Sequence, residues 1–258
     1  MMVNGKELAE RVYTRLPQRS LRLGIIVGEK NPVIDSFVKI KERAAHRLGV
    51  TLVREELPDG TNTHEAIAAV LSLAEKTDGL IVQLPLPKQI DVESVLAAIP
   101  GEKDVDGISL SPSVRPPVAE AVKEILEKME CEVTGKKAVV VGSGRLVGKP
   151  CARLLEELGA SVTVLERGDS LDQLKDADII VLGAGEPGIV QPEHIKDGVV
   201  LIDAGTSDLP AQAGTGRRIA GDADPACAEV ASVFTPVPGG VGPIAVAMIF
   251  KNLFELAK

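Results

Sequence analysis

At 258 residues the chain is long enough for two domains, each able to bury a core, and with apolar residues at 45% but aromatics at 2% those cores are built from Val, Ile, Leu and Ala. Its 37 acidic residues outweigh 29 basic ones, for a net charge of −8 with no basic tract. That balance argues against nucleic acid or an anionic membrane surface as the main partner, while leaving room for anionic small molecules held by local groups.

Leu8, Val12 and Leu16 recur every four residues and predict a helix over 4–16. The apolar run LRLGIIV at 21–27 predicts a strand, 34–48 a long helix and 51–56 a second strand. A helix follows over 63–75, with Thr61 or Thr63 as its cap. GLIVQ at 79–83 reads as a buried strand ended by Pro85, and 92–98 as a helix. This alternation implies a parallel sheet covered on both faces. A helix over 118–129 leads into a second alternation: a strand at 137–141 (KAVVV), the loop GSGRLVGKP, a helix at 150–158 and a strand at 161–165. A short helix at 171–174 and strands at 179–182 and 199–202 complete the pattern of a Rossmann-type dinucleotide-binding domain. GTGRR at 214–218 reads as a hairpin or surface loop, and the chain has no internal repeat or low-complexity segment.

Cys131, Cys151 and Cys227 are scattered without metal-ligand spacing, so no metal site is expected, and their odd number suits a reducing cytosol. The N-terminal MMVNGKELAERV lacks an apolar h-region, and no apolar run approaches a membrane span. A soluble, cytoplasmic protein is the expectation.

From Gly142 to Gly148 the chain reads G-x-G-x-x-x-G, one residue longer than the usual dinucleotide fingerprint, with a β-branched strand before it and a helix after it. Such a loop turns tightly and leaves bare backbone N–H groups facing a pyrophosphate at a helix N-terminus; the alternative is a tight β–α turn with no ligand. At the end of the next strand Glu166 and Arg167 stand side by side, where an acid favours NAD and a base accommodates a 2′-phosphate. Arg145 and Arg167 could clamp that phosphate, which favours NADP, with NAD possible.

Residues 234–246 read FTPVPGGVGPIAV: Pro236 and Pro238 forbid regular structure, and Gly239, Gly240 and Gly242 allow close approach to a ligand before the last helix opens. In the first half, NPVIDSFVKIKERA places Phe37 and Lys41 on one helical face, DGLIVQLPLP ends a strand in Gln83, and PGEKDVDGIS carries Asp106. VQLPLP, KDVDG and TPVPGGVGP together closely resemble the bifunctional methylenetetrahydrofolate dehydrogenase/cyclohydrolase family, and the resemblance covers nearly the whole chain. The sequence departs from the family's pattern at several points. Ser143 and Gly144 stand where Arg and Ser are usual, Phe37 replaces a tyrosine, and Ala245 replaces a threonine. The connection GISLSPSVRP after Asp106 is also short.

The resemblance implies oxidation of 5,10-methylenetetrahydrofolate with NADP and hydrolysis of the methenyl product to 10-formyltetrahydrofolate, in one-carbon metabolism and purine biosynthesis. It implies Lys41 as general acid/base, Gln83 as its orienting partner and Asp106 as acceptor for the pterin N–H groups. Phe37, Val82 and Leu84 would meet the folate, with Pro238, Gly239, Gly240, Val241 and Gly242 covering the site. Gly142, Ser143, Gly144, Arg145, Leu146 and Val147 would hold the cofactor, together with Arg167, Gly185 and Thr206. Two α/β domains facing across a cleft are implied: a discontinuous catalytic domain over 1–116 and 243–258, and a Rossmann domain over 117–242. A homodimer through the Rossmann domain is implied as well. A monofunctional dehydrogenase of the same build, or a non-catalytic dinucleotide-binding regulator, are the alternatives. Retention of Lys41, Gln83 and Asp106 together argues against a related dehydrogenase acting on another substrate.

Overall fold

The computed structural model describes residues 1–29, 31–209 and 218–258, and the chain divides into two compact units. Of the hairpin or surface loop expected at 214–218, only Arg218 lies within the described residues.

One unit comprises Arg11–Pro117 and Val246–Lys258. After a first helix, α1 (Gly5–Arg15), the chain alternates β1 (Arg22–Val27), α2 (Pro32–Leu48), β2 (Thr51–Glu56), α3 (Thr63–Lys76), β3 (Gly79–Gln83) and α4 (Val92–Ala97). The three strands are parallel in the order β2-β1-β3, so the sheet winds both ways from β1. Leu23 and Ile25 of β1 face one apolar cluster with Val38 and Ala45 of α2, and Ile26 faces another with Val70 and Leu73 of α3. Burial on both faces explains why β1 and β3 read as continuous apolar runs rather than alternating ones. The cap of α3 is Asn62, whose Oδ1 accepts from Glu65 N at 3.0 Å while Glu65 Oε2 accepts from Asn62 N at 2.9 Å. The expected threonines work elsewhere: Thr61 Oγ1 donates to Pro58 O and Thr63 Oγ1 accepts from Asp91 N.

The other unit comprises Met1–Glu10 and Val118–Ala245. It follows α5 (Pro117–Lys128) with β4 (Lys137–Val141), α6 (Gly148–Glu157), β5 (Ser161–Leu165), β6 (Ile179–Leu182) and β7 (Val200–Asp203). A short antiparallel pair, β8 (Ser207–Leu209) and β9 (Arg218–Ala220), precedes β10 (Val233–Phe234) and the last helix, α7 (Val241–Leu256). The parallel sheet runs β10-β7-β6-β4-β5, so the chain reverses direction at β4, the switch point beside which doubly wound sheets hold their ligands. α6 starts at Gly148, earlier than its periodicity suggests, because Pro150 in the first turn needs no N–H partner. The first ten residues belong here, although the sequence reading groups them with the first half. Val3 N donates to Phe234 O at 2.8 Å and Phe234 N to Met1 O at 2.9 Å, so the N-terminus extends the edge of the sheet at β10.

Candidate active site

Lys41 lies on α2, whose start is fixed by Asn31 Oδ1 accepting from Ile34 N at 3.0 Å. Ile34, Val38 and Ala45 bury one face of this helix, which leaves Lys41 partly buried beside them and Phe37 one turn earlier at 38% exposure. Lys41 Nζ donates to Gln83 Oε1 at 2.8 Å, and Gln83 Nε2 donates to Leu84 O at 3.0 Å. The second bond holds the amide with its oxygen toward the ammonium, at the carboxyl end of β3. Val82 is 2% exposed, so its side chain serves the core, and any contact with a ligand falls to its backbone; Leu84 is half-buried.

Asp106 follows on a loop tied down from several sides. Asp104, fully buried, accepts from Gly107 N at 2.9 Å and Ser109 N at 2.7 Å. Leu80 N donates to Lys103 O at 2.7 Å, and Asn252 Nδ2 of α7 donates at 2.9 Å to both Val105 O and Arg115 O. Gly107 has φ +64°, and a Cβ there would lie 2.7 Å from Val114 O, so the D-G dipeptide is a constrained turn.

Burial dominates the electrostatics of this group. It holds the Lys41 ammonium below the usual lysine range, with the charge of Asp106 opposing the shift. Burial also pushes the Asp106 carboxyl up to about 6, against the attraction of Lys41 and with some repulsion from Asp104. A lysine that releases its proton readily, next to a fixed amide and a carboxylate, is equipped for proton transfer to and from a bound substrate.

The glycine loop lies in the other unit. Gly142 has φ +97°, a Cβ on it would lie 2.6 Å from Gly183 O, and one on Gly148 would strike Gly142 O. The loop after β4, the start of α6 and the loop after β6 therefore close-pack through glycine. No side chain caps α6. Gly144, Arg145 and Leu146 are exposed, while Ser143 and Val147 are half-buried. Such a loop at a helix N-terminus fits a dinucleotide pyrophosphate. Arg167 after β5, Gly185 after β6 and Thr206 after β7 are all exposed at the carboxyl ends of their strands. The Pro238–Gly242 segment opens α7: Pro238 and Gly242 are exposed and Gly239 half-buried, whereas Gly240 and Val241 are buried. Among the described residues no cluster of His, Cys, Asp or Glu could hold a metal ion, and no helix is long and apolar enough to cross a membrane.

Among the buried polar groups that the sequence reading overlooks are Asp104, Asp203, Asp222 and Thr235. For Asp203 and Asp222 the available signal is an aspartate at or just after a strand next to small residues, as in IDAG and GDAD.

Residues 3–106 match the model of the tetrahydrofolate dehydrogenase/cyclohydrolase catalytic domain, and residues 116–258 that of the same family's NAD(P)-binding domain. The bifunctional protein FolD of Polynucleobacter asymbioticus is 38% identical over 280 residues, covering 100% of this chain and 97% of that protein. That of Methanospirillum hungatei is 35% identical over 279 residues, with coverage of 100% and 98%. The Trypanosoma brucei methylenetetrahydrofolate dehydrogenase-cyclohydrolase, solved with NADP and an inhibitor, superposes with a TM-score of 0.92 at 32% identity, covering 100% of this chain and 97% of that one. The chain belongs to the tetrahydrofolate dehydrogenase/cyclohydrolase family.

Proposed function

We propose that the chain oxidises 5,10-methylenetetrahydrofolate to the 5,10-methenyl compound with NADP, and hydrolyses that to 10-formyltetrahydrofolate. The observation that carries the hydrolytic half is the Lys41 Nζ to Gln83 Oε1 bond at 2.8 Å, with the charge of Asp106 acting on the same ammonium. Asp106 accepts the pterin N–H groups and fixes the folate against the face of Phe37. NADP⁺, when bound, supplies the hydride acceptor. Gly142 to Val147 hold its pyrophosphate, and Arg145 and Arg167 hold its 2′-phosphate. Oxidation is then a matter of holding the one-carbon unit in place. In the hydrolysis, water adds to the methenyl carbon and Lys41 Nζ takes its proton. Lys41 returns a proton to the ring nitrogen as the carbon–nitrogen bond breaks, and the remaining hydroxyl proton is released to solvent, leaving the formyl group on the other nitrogen. Gln83 keeps Nζ aimed throughout.

Lys41→Met should reduce hydrolysis of the methenyl compound by about 10²- to 10⁴-fold, the usual scale of general acid–base catalysis. Hydride transfer should fall less, since no proton moves at the reacting carbon. The two rates are measured separately, by nicotinamide reduction and by loss of the methenyl chromophore. Undiminished hydrolysis in the folded variant would remove Lys41 from the mechanism.

A homodimer through the Rossmann-type unit is supported by the edge position of β5 and by the 38% exposure of Val164 on it. Free thiols at Cys131, Cys151 and Cys227 support work in the cytoplasm, where the 10-formyl product would serve purine biosynthesis.

A further inference from the structure

In the dinucleotide unit a carboxylate lies directly beneath the loop that follows β6. Asp222 is 0% exposed and accepts three backbone N–H groups: Ala184 at 2.7 Å and Gly185 at 3.1 Å on Oδ2, and Glu186 at 2.9 Å on Oδ1. All three donors belong to consecutive residues that are themselves exposed. Asp203, 1% exposed at the end of β7, stands beside it and accepts from Gly205 N at 2.9 Å and Ala223 N at 2.8 Å. Thr235 Oγ1 fixes Asp203 in turn, accepting from Asp203 N at 2.6 Å and donating to Asp203 O at 3.2 Å. Neither neighbouring glycine could carry a side chain: a Cβ on Gly205 would strike the Asp222 carboxyl, and one on Gly221 the Asp203 carboxyl. The two carboxylates thus join the loops after β6 and β7 to residues 221–223.

The loop they hold lies where the cofactor is needed. β6 adjoins β4 at the switch point, on the side opposite β5. Gly183 packs against Val147 of the glycine loop so closely that a Cβ would collide with it, and Gly185 has φ +69° with open space where its Cβ would be. If the adenosine lies along β5, the nicotinamide half falls on the β6 side. We propose that Asp222 is a positioning residue for hydride transfer, its buried carboxylate holding the 184–186 backbone in the shape that receives the nicotinamide half of the dinucleotide. The inference rests on the dehydrogenase reading above. It requires an ionised carboxylate, which is acceptor-only; an asparagine offers one oxygen, and its amide nitrogen would face an N–H donor. Burial holds the Asp222 carboxyl above its ordinary range, with the charge of Glu186 adding to the shift, and the three N–H groups oppose it by favouring the charged form.

The test is Asp222→Asn in the full-length protein, assayed for both reactions. NADP⁺ KM should rise about tenfold or more and dehydrogenase kcat should fall, the scale of lost charge-assisted bonds. Hydrolysis of the methenyl compound, assayed without cofactor, should stay within about twofold, since Asp222 belongs to the unit that lacks Lys41. Wild-type NADP⁺ kinetics in a folded Asp222→Asn protein would overturn the proposal, and so would an equal loss of both activities. A wild-type protein that reduces no NADP⁺ would instead sink the dehydrogenase reading. Should the variant fail to fold, amide hydrogen exchange on the wild type decides. The amides of residues 184–186 should be protected without cofactor, and exchange as fast as in exposed loops would overturn the proposal that Asp222 holds them.

Discussion

Asp106 carries its charge reluctantly, and the role proposed for it depends on that charge. As the proposed acceptor for pterin N–H groups it offers both oxygens as acceptors only when ionised, and burial has moved its carboxyl up to about 6. The kcat/KM for methylenetetrahydrofolate should therefore rise as pH increases through about 6, and Asp106→Asn should abolish that limb along with most of the activity. The effect on stability has the opposite sense. A folded pKa above the ordinary 3.8 means that the native state binds the proton more tightly, so this contribution is full below 3.8 and lost as pH rises through about 6. At neutral pH Asp106→Asn should unfold at the same or higher urea concentration than the wild type; a marked drop in midpoint would mean that the charge is stabilised by contacts not recognised here. The proposed site residues Lys41, Gln83 and Asp106 were legible as candidates because each lies in a short stretch that resembles the family's motifs. Asp222 was not, because its partners are backbone N–H groups 36 to 38 residues away that only the folded sheet brings to it.

At the level of elements, the long periodic helices and the buried strands β1, β3, β4 and β6 follow from the sequence. Their patterns reflect burial that is the same along the whole segment. The two-residue β10 and the bridge from Met2 to Phe234 were not readable, since they exist only through pairing with distant chain. The start of α3 at Thr63 agrees with the sequence, but its cap does not, for a local reason: Thr61, Asn62 and Thr63 can all cap, and only Asn62 completes a reciprocal pair with Glu65. Asn62→Ala should accordingly lower unfolding stability by about 1 kcal/mol, read from the urea midpoint, with both activities unchanged. A null effect on stability would mean that the α3 N-terminus is held by tertiary packing alone.

The whole chain combines two units with one architectural rule. Each has a parallel sheet that winds both ways from its first strand, and in each the candidate site residues lie at or beyond the carboxyl ends of strands or on the helix following the first strand. One unit holds Lys41, Gln83 and Asp106, the proposed proton-transfer group, and the other the glycine loop, so on the proposed reading mutation should impair the two chemistries separately. The alternation of strands and helices made this class of fold evident from the sequence. The assignment of the first ten residues depended on sheet pairing at β10, which carries no local signature. The most direct test of the account is to give the purified protein 5,10-methylenetetrahydrofolate at neutral pH with NADP⁺ or NAD⁺, following reduced nicotinamide and the methenyl chromophore together. The prediction is nicotinamide reduction that depends on the folate and is faster with NADP⁺, with the methenyl compound formed and then consumed to 10-formyltetrahydrofolate. Absence of nicotinamide reduction, or methenyl compound that accumulates without enzymatic hydrolysis, would contradict it.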